Sequence, residues 1–568
     1  MSKCTPAAKR AIAVVACILM ALAWLIPNHY PPWVSFYNEC AMGFSLVALF
    51  ALQLIEDERS PTPILAWVVA AVAVIPVLQW LSGLLIFSGD AVVTSMYLFA
   101  TCLSIFVGHA LAASNCKRIA TLLCLATLVA GCVSSVVSLS QAAGIANFGM
   151  WAEFATPDMR AVGNLAQPNN FATLLGMSTV AVFYLYESKR VSWMAAVAVA
   201  TLLVSAAALT QSRISLTFGI VVCAGIVVAR RSGVPIRTPL LGIVCLTLLH
   251  WLLMWSIPAM MEVIFQLKLE SLAERGVETP RYQMWKMLLH ATTVNAPWSG
   301  FGWLQVGAAE LSVVDQYPAI KELWLQAHNI FIELIVADGW PLGLALGLLL
   351  VYWFASRFAC VKTLEALVGM LVVGIVGAHS LVELPYQYVY FLIPVGLWAG
   401  LVEFEQQRRT LLDARAMVAP AALALMLFLS IAHQYGPIEE DFRLVRFESA
   451  RIGDLRASQP SPAAPLLSSL TSFLLFTRTE PKRGMSAAEL TQMEDVVKRY
   501  PYAASLVRYA SALAMNGRVD EARIAFVKIR YMYGEHMYRR MRTGFHERAQ
   551  AVPLLQPLDN VLPLAFPL

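Results

Sequence analysis

Charge is scarce in this chain. Asp, Glu, Lys and Arg together make up 14% of its 568 residues, where a soluble globular domain carries about 25%. That deficit excludes a solvated globular surface over most of the length. The net charge of +5 is no signal for nucleic acid, because much of the positive charge sits in short loops, where it sets membrane orientation. Cysteine supplies neither a metal site nor a disulfide framework. The ten cysteines lie mostly in or beside apolar blocks, none falls within 259–327 or 436–568, and no CxxC pair or zinc spacing occurs. A cleavable leader is not indicated: block 11–26 lacks a clear small-residue cleavage site and many apolar blocks follow it, so it reads as a retained helix. No inverted repeat is evident, which weighs against a transporter.

Apolar residues are abundant instead: 59% of the chain is hydrophobic and the mean hydropathy is +0.65. They fall in blocks near 11–26, 39–55, 64–80, 91–113, 119–141, 171–186, 193–209, 214–229, 238–258, 328–354, 364–381, 387–404 and 417–435. Each block can cross about 30 Å of hydrocarbon as a helix. The expected fold is therefore all-α, a polytopic membrane protein with about 13 transmembrane helices.

Loop cations orient it. With Lys3, Lys9 and Arg10 placed in the cytoplasm, the inside loops hold Lys117, Arg118, Lys189, Arg190, Arg230, Arg231, Arg237, Arg357, Lys362, Arg408, Arg409 and Arg415. The short outside loops at 27–38, 81–90 and 382–386 contain no Lys or Arg, as the positive-inside rule requires. The larger polar pieces 142–170, 259–327 and 436–568 then face outward. This predicts a membrane domain over 1–435, with a large outer loop at 259–327, and an outer helical domain over 436–568. In that tail Leu506, Ala510, Leu513, Gly517, Ala522 and Phe526 have the spacing of a tetratricopeptide-type helix pair, a pattern a generic helical hairpin shares.

Several outside polar residues need a reason. Arg213 sits in "LTQSRISLTF" between two apolar blocks; buried in hydrocarbon it would cost about 2.5–3.5 kcal/mol, so it faces a protein-lined cavity or snorkels to the interface. "DMRAVGNLAQPNNF" brings Arg160 and Gln167 to a turn-rich helix entry. Helix capping accounts for its asparagines but not for those two. Arg281 opens an amphipathic stretch running to Ala291, with Tyr282, Trp285 and Leu289 on one face, expected to lie on the membrane surface. His328, in "LWLQAHNIFIEL", starts an apolar helix that enters from outside; the helix dipole there disfavours the imidazolium. A neutral imidazole is a general base, and arginines bind phosphate in planar, bidentate fashion. Together they point to transfer from a phosphorylated carrier. "SLVELPYQYVYFL" adds Glu383, Tyr386, Tyr388 and Tyr390, the tyrosines fitting an aromatic belt as well as a site. Asp338 lies deep in the His328 helix, for a relay or for pairing with another helix.

The order Gly163-Asn164…Gln167-Pro168-Asn169, Ser212-Arg213, Arg281…Trp285…Pro297…Gly300…Gly302 and His328-Asn329…Gly339…Gly343 resembles the O-antigen ligase/polymerase superfamily. "GNLAQPNN" and "HSLVELPYQYVYFLIP" resemble its PglL-type bacterial O-oligosaccharyltransferases, over about 140–400. The resemblance implies a metal-independent enzyme without cofactor, in the bacterial inner membrane with its active site facing the periplasm. Such an enzyme transfers an oligosaccharide en bloc from undecaprenyl pyrophosphate to Ser or Thr hydroxyls of periplasmic or pilus proteins. It implies His328 as the catalytic residue, Arg213 and Arg281 as pyrophosphate ligands and Gln167 as substrate-binding, with the tyrosine match shared between Tyr388 and Tyr390. Arg160 as a further pyrophosphate ligand, and Asn329 and Glu383 as substrate-binding groups, complete the expected site. Expected partners are the lipid-linked oligosaccharide, an acceptor protein such as a pilin, and membrane lipid, with no nucleic acid. The rival readings are an O-antigen ligase acting on lipid A core, a polysaccharide polymerase, and a flippase of lipid-linked glycan.

Overall fold

A backbone segment away from water must satisfy its own hydrogen bonds, and a helix does so locally. The computed structural model of the chain describes residues 5–56, 62–145, 148–155, 159–269, 280–406, 414–449 and 461–564. It is helical throughout, with no strand among those residues. The apolar blocks become α1 (Pro6–Leu25), α2 (Phe36–Glu56), α3 (Ile64–Leu81), α4 (Ser88–Ala142), α5 (Pro168–Glu187), α6 (Trp193–Leu209), α7 (Ser215–Arg231) and α8 (Leu240–Phe265). After α9 (Pro280–Asn295) and α10 (Val306–Val313) come α11 (Ile330–Ala359), α12 (Leu364–Ser380), α13 (Val389–Gln406) and α14 (Val418–Ser449). Two expected spans share α4, which breaks at Asn115 (φ −164°, ψ 89°). Seven of these helices are long and apolar enough to cross a membrane, and α6 and α12 are shorter apolar ones. The polytopic all-α expectation is borne out. Among the cations used for orientation, Lys3, Arg408 and Arg409 lie outside the described residues.

The chain divides into two compact units. The first comprises Met1–Ala73, Met96–Val277 and Leu349–Leu429. Its core holds Trp24, Phe106, Tyr184, Tyr390, Phe391 and Trp398, all essentially inaccessible. Here α4 and α13 meet backbone to backbone. A Cβ on Gly108 would stand 2.1 Å from the Leu397 carbonyl oxygen, and one on Gly400 would stand 2.0 Å from that of Ile105. Only glycine permits such an approach.

The second unit comprises Val74–Ser95, Glu278–Leu348 and Ser430–Leu568. It includes α15 (Ser468–Arg478), α16 (Ala487–Arg499), α17 (Ala503–Met515), α18 (Val519–Ala551) and α19 (Gln556–Val561). The expected helix pair is α17 and the first part of α18. Leu506, Ala510, Leu513, Ala522 and Phe526 are all buried, and Gly517 (φ +80°) makes the turn. Arg499 on α16 pairs with Asp90 at 2.7 Å, and Ser469 donates to the other oxygen of that carboxylate at 2.7 Å. The pair is buried, so losing either member would strand a charge.

The side of α9 that carries Trp285 and Leu289 packs on protein. Its buried stripe is Met284, Met287, Leu288 and Ala291, a period of three and four residues. Trp285 and Leu289 pack beside that stripe on the core of the second unit, while Tyr282 is 70% exposed. The helix thus turns its apolar face to protein.

Glu310 on α10 is 1% exposed, and neither carboxylate oxygen has a hydrogen-bond partner. Burial pushes its pKa up to about 8 from 4.5. The folded state therefore holds a proton that the unfolded chain loses. The resulting stability is fully present below pH 4.5 and is lost as pH rises through about 8. Glu310→Gln should flatten the alkaline fall of the melting temperature in detergent between pH ~6 and ~9. An unchanged alkaline fall in the variant would refute that assignment.

Candidate active site

His328 is built by the end of a loop. Asn329 caps α11: its Oδ1 accepts from the N–H groups of Phe331 at 3.0 Å and Ile332 at 3.2 Å. His328, just before the cap, takes the left-handed conformation (φ +51°), which non-glycine residues adopt rarely. The Trp324 ring stands edge-on to the imidazole, 4.6 Å between centroids at 89°. Nδ1 lies 3.1 Å from the Gln326 carbonyl oxygen. A carbonyl only accepts, so Nδ1 carries the proton and the neutral ring has its lone pair on Nε2. Burial lowers the pKa to about 4; the positive Arg281 pushes the same way, and the Gln326 bond opposes both. The neutral imidazole expected from the sequence is thus obtained, with desolvation and Arg281 as its causes. Arg281 lies in the first turn of α9 and is half-buried. His328 and Arg281 belong to the same unit, and the positive charge of Arg281 reaches His328.

Farther along α11 the helix breaks. Within α11, Gly339 has φ +76° and ψ 174°. The loop at 297–302 fills the gap: Phe301 and Gly302 donate to the carbonyls of Val336 and Ala337 at 2.7 and 3.0 Å, and Trp340 donates to that of Pro297 at 2.9 Å. Asp338 accepts from Gln79 Nε2 at 2.9 Å and from Trp303 Nε1 at 3.1 Å. Of the two sequence readings of Asp338, pairing with another helix is the one observed.

The remaining expected residues lie in the first unit. Gln167 caps α5, its Oε1 accepting from Asn170 N–H at 2.7 Å. Asn169 joins Glu383 (Nδ2 to Oε1, 2.8 Å) to Ser212, whose hydroxyl donates to Asn169 Oδ1 at 2.6 Å. Arg213 follows Ser212 directly and is exposed at the entry to α7. Arg160 is tied to the same turn, Nε donating to the Thr210 carbonyl at 2.8 Å. Its guanidinium therefore shapes the loop that presents Arg213. Asn170 Nδ2 donates to the Tyr390 hydroxyl at 3.2 Å, and the Tyr388 and Tyr390 rings stack at 5.0 Å. Tyr390 is fully buried. Asn164 is structural: it accepts from Glu153 N–H at 3.2 Å and donates to the Trp151 carbonyl at 3.0 Å.

Some participants were not singled out in the sequence. His379 Nδ1 lies 2.8 Å from the Thr173 hydroxyl, and Tyr97 donates to the buried Glu39, which also accepts from Ser35 at 2.7 Å. Glu39 as a first-turn acid in an apolar helix was the available signal. Among the described residues no three His, Cys, Asp or Glu side chains converge as metal ligands.

Fold and site together define a polytopic α-helical membrane protein with a neutral histidine beside an arginine. Two family models match the chain: O-antigen ligase over residues 196–347, and virulence factor membrane-bound polymerase, C-terminal, over 367–546. The chain is 28% identical to the general O-oligosaccharyltransferase of Acinetobacter baylyi over 553 residues, 90% of each chain. It is 24% identical to the ComP-specific O-oligosaccharyltransferase of the same organism over 392 residues, 68% of this chain and 70% of that one. The resemblance to PglL-type O-oligosaccharyltransferases read from the motifs is borne out by these matches.

Proposed function

We propose that this chain is a glycosyltransferase that O-glycosylates protein, moving an oligosaccharide en bloc from undecaprenyl pyrophosphate to Ser or Thr hydroxyls of a periplasmic or pilus protein. It acts in the bacterial inner membrane with its active site toward the periplasm. The half-buried His328 carries this reading: its Nδ1 is held by the Gln326 carbonyl, its Nε2 is left to accept a proton, and desolvation with the charge of Arg281 keeps the ring neutral. The acceptor oxygen bonds to the anomeric carbon as its proton passes to His328 Nε2. The bond from that carbon to the phosphate oxygen breaks, and undecaprenyl pyrophosphate leaves with the electron pair. Arg281 stabilises that growing negative charge; Arg213 is proposed as a further pyrophosphate ligand, with Arg160 shaping the turn that presents it. Glu383 and Tyr388 orient substrate, while Gln167 and Asn329 set the helix entries of their own elements and Tyr390 supports Tyr388 from the core. The membrane domain over 1–435 holds the donor, and the helical tail over 436–568 serves acceptor recognition.

The test is reconstitution of the purified protein with undecaprenyl-pyrophosphate glycan and a periplasmic pilin in the presence of EDTA. A mass increase on the pilin is expected. The match to the O-antigen ligase model keeps lipid A core as a second acceptor to examine, and glycan found only there would overturn the protein-acceptor reading. Carrier movement across vesicles without turnover would assign a flippase.

Arg281→Gln removes a charged ligand, so the donor KM should rise roughly tenfold to a hundredfold. With the positive neighbour gone, the acid limb of the pH profile should also move upward from an apparent pKa of about 4. A donor titration across pH reads both, and an unmoved KM would remove Arg281 from phosphate binding.

A further inference from the structure

We infer that Trp285 and Glu333 are positioning residues for His328, holding both sides of the Ala327 backbone immediately before it. The Ala327 N–H donates to Glu333 Oε2 at 2.6 Å, and the Ala327 carbonyl accepts from the Trp285 indole Nε1 at 2.7 Å. Ala327 has no exposed surface, so bulk water does not compete for either bond. Two side chains from different helices, α9 and α11, thus supply what a regular backbone ladder would supply elsewhere.

The left-handed backbone of His328 (φ +51°) explains why such a strap is needed. For a non-glycine residue that conformation costs about 1–2 kcal/mol and persists only where the surroundings enforce it. On the C-terminal side, Asn329 enforces it by capping α11. On the N-terminal side, the two bonds to Ala327 do so. Glu333 is well placed for this, because a carboxylate in the first turn of α11 also faces the positive end of the helix. Its own N–H donates to the Asn329 carbonyl at 2.8 Å, so both sides of the strap share one helical turn.

Trp285 follows Arg281 by four residues on α9, one helical turn further along. One helix therefore carries the guanidinium whose charge reaches His328 and the indole that secures the residue before it. Any shift of α9 moves both together. Neither side chain need touch substrate for this; each acts through the direction in which the imidazole points.

The inference rests on His328 as the base, and the test separates the two. Full-length Trp285→Phe, Glu333→Ala and Glu333→Gln are compared in nanodiscs by donor kinetics and by isotope-labelled histidine NMR. Trp285→Phe and Glu333→Ala should lower kcat roughly tenfold to a hundredfold with little change in donor KM, the cost of a base displaced by about 1 Å. Both should let the His328 pKa rise from about 4 toward its ordinary 6.5 as the loop opens. Glu333→Gln keeps an acceptor oxygen and should recover most of kcat. Wild-type kcat and an unmoved imidazole titration in both disrupting variants would overturn the inference. So would a Glu333→Gln protein as impaired as Glu333→Ala, with the same drop in melting temperature. The titration needs no turnover. A fully active His328→Asn protein would defeat the base reading and leave the titration result standing.

Discussion

His328→Asn abolishes glycan transfer while the protein stays folded; this is the largest expected effect. Losing a positioned general base lowers the rate roughly 10²–10⁴-fold. Asparagine is the right replacement because it tolerates the left-handed backbone at this position (φ +51°) better than alanine does. The melting temperature should therefore stay near that of the wild type. In the unsubstituted enzyme the rate should be flat through neutral pH. It should fall in acid as the imidazole protonates with an apparent pKa of about 4. Turnover by His328→Asn near the wild-type rate would remove the proposed chemistry.

Gly339→Ala should do the opposite: the fold fails first and activity follows. Gly339 has φ +76° and ψ 174°, a region open essentially to glycine alone, where other residues pay about 1–3 kcal/mol. Space is also lacking. An added Cβ would stand 2.6 Å from the Trp298 carbonyl carbon and oxygen and 2.9 Å from the Gly300 nitrogen. Overpacking against backbone costs a further ~1–3 kcal/mol. Gly300 cannot yield, because its own approach to Ala337 is as close and it also has a positive φ (+68°). The loop would detach from the break, releasing the carbonyls of Val336 and Ala337. A thermal melt in detergent should show a drop of several degrees with reduced yield, and an unchanged melt would show that the loop does not lock the helix.

Much of the fold was legible in the order of the residues. Runs such as 39–55 and 364–381 are apolar on nearly every side, and each became a helix. The tail pattern from Leu506 to Phe526 was legible because a buried stripe repeats at helical spacing. His328 and Asn329 could be read as the start of a helix, since capping depends on neighbours only a few residues away. The packing partner of α9 was not legible. Trp285 and Leu289 look like interfacial anchors by type, but the protein core claimed that side of the helix. His379 and Trp324 escaped notice because nothing near them in the chain shows what they touch, and Glu39 offered only its charge at the start of an apolar helix.

By itself the sequence determined that this is a helical, many-span membrane protein, and it picked out a histidine at a helix entry and three arginines near helix starts. Those are local properties: a helix closes its hydrogen bonds within four residues, and a span needs only length and apolarity. The tertiary structure alone decided which polar groups meet. Asn169 and Glu383 lie 214 residues apart in sequence and bond at 2.8 Å. Arg160 serves the turn before Arg213 across 50 residues, and Trp285 reaches Ala327 across 42. Such partnerships depend on how helices pack, and packing is a property of the assembled fold that no single segment encodes.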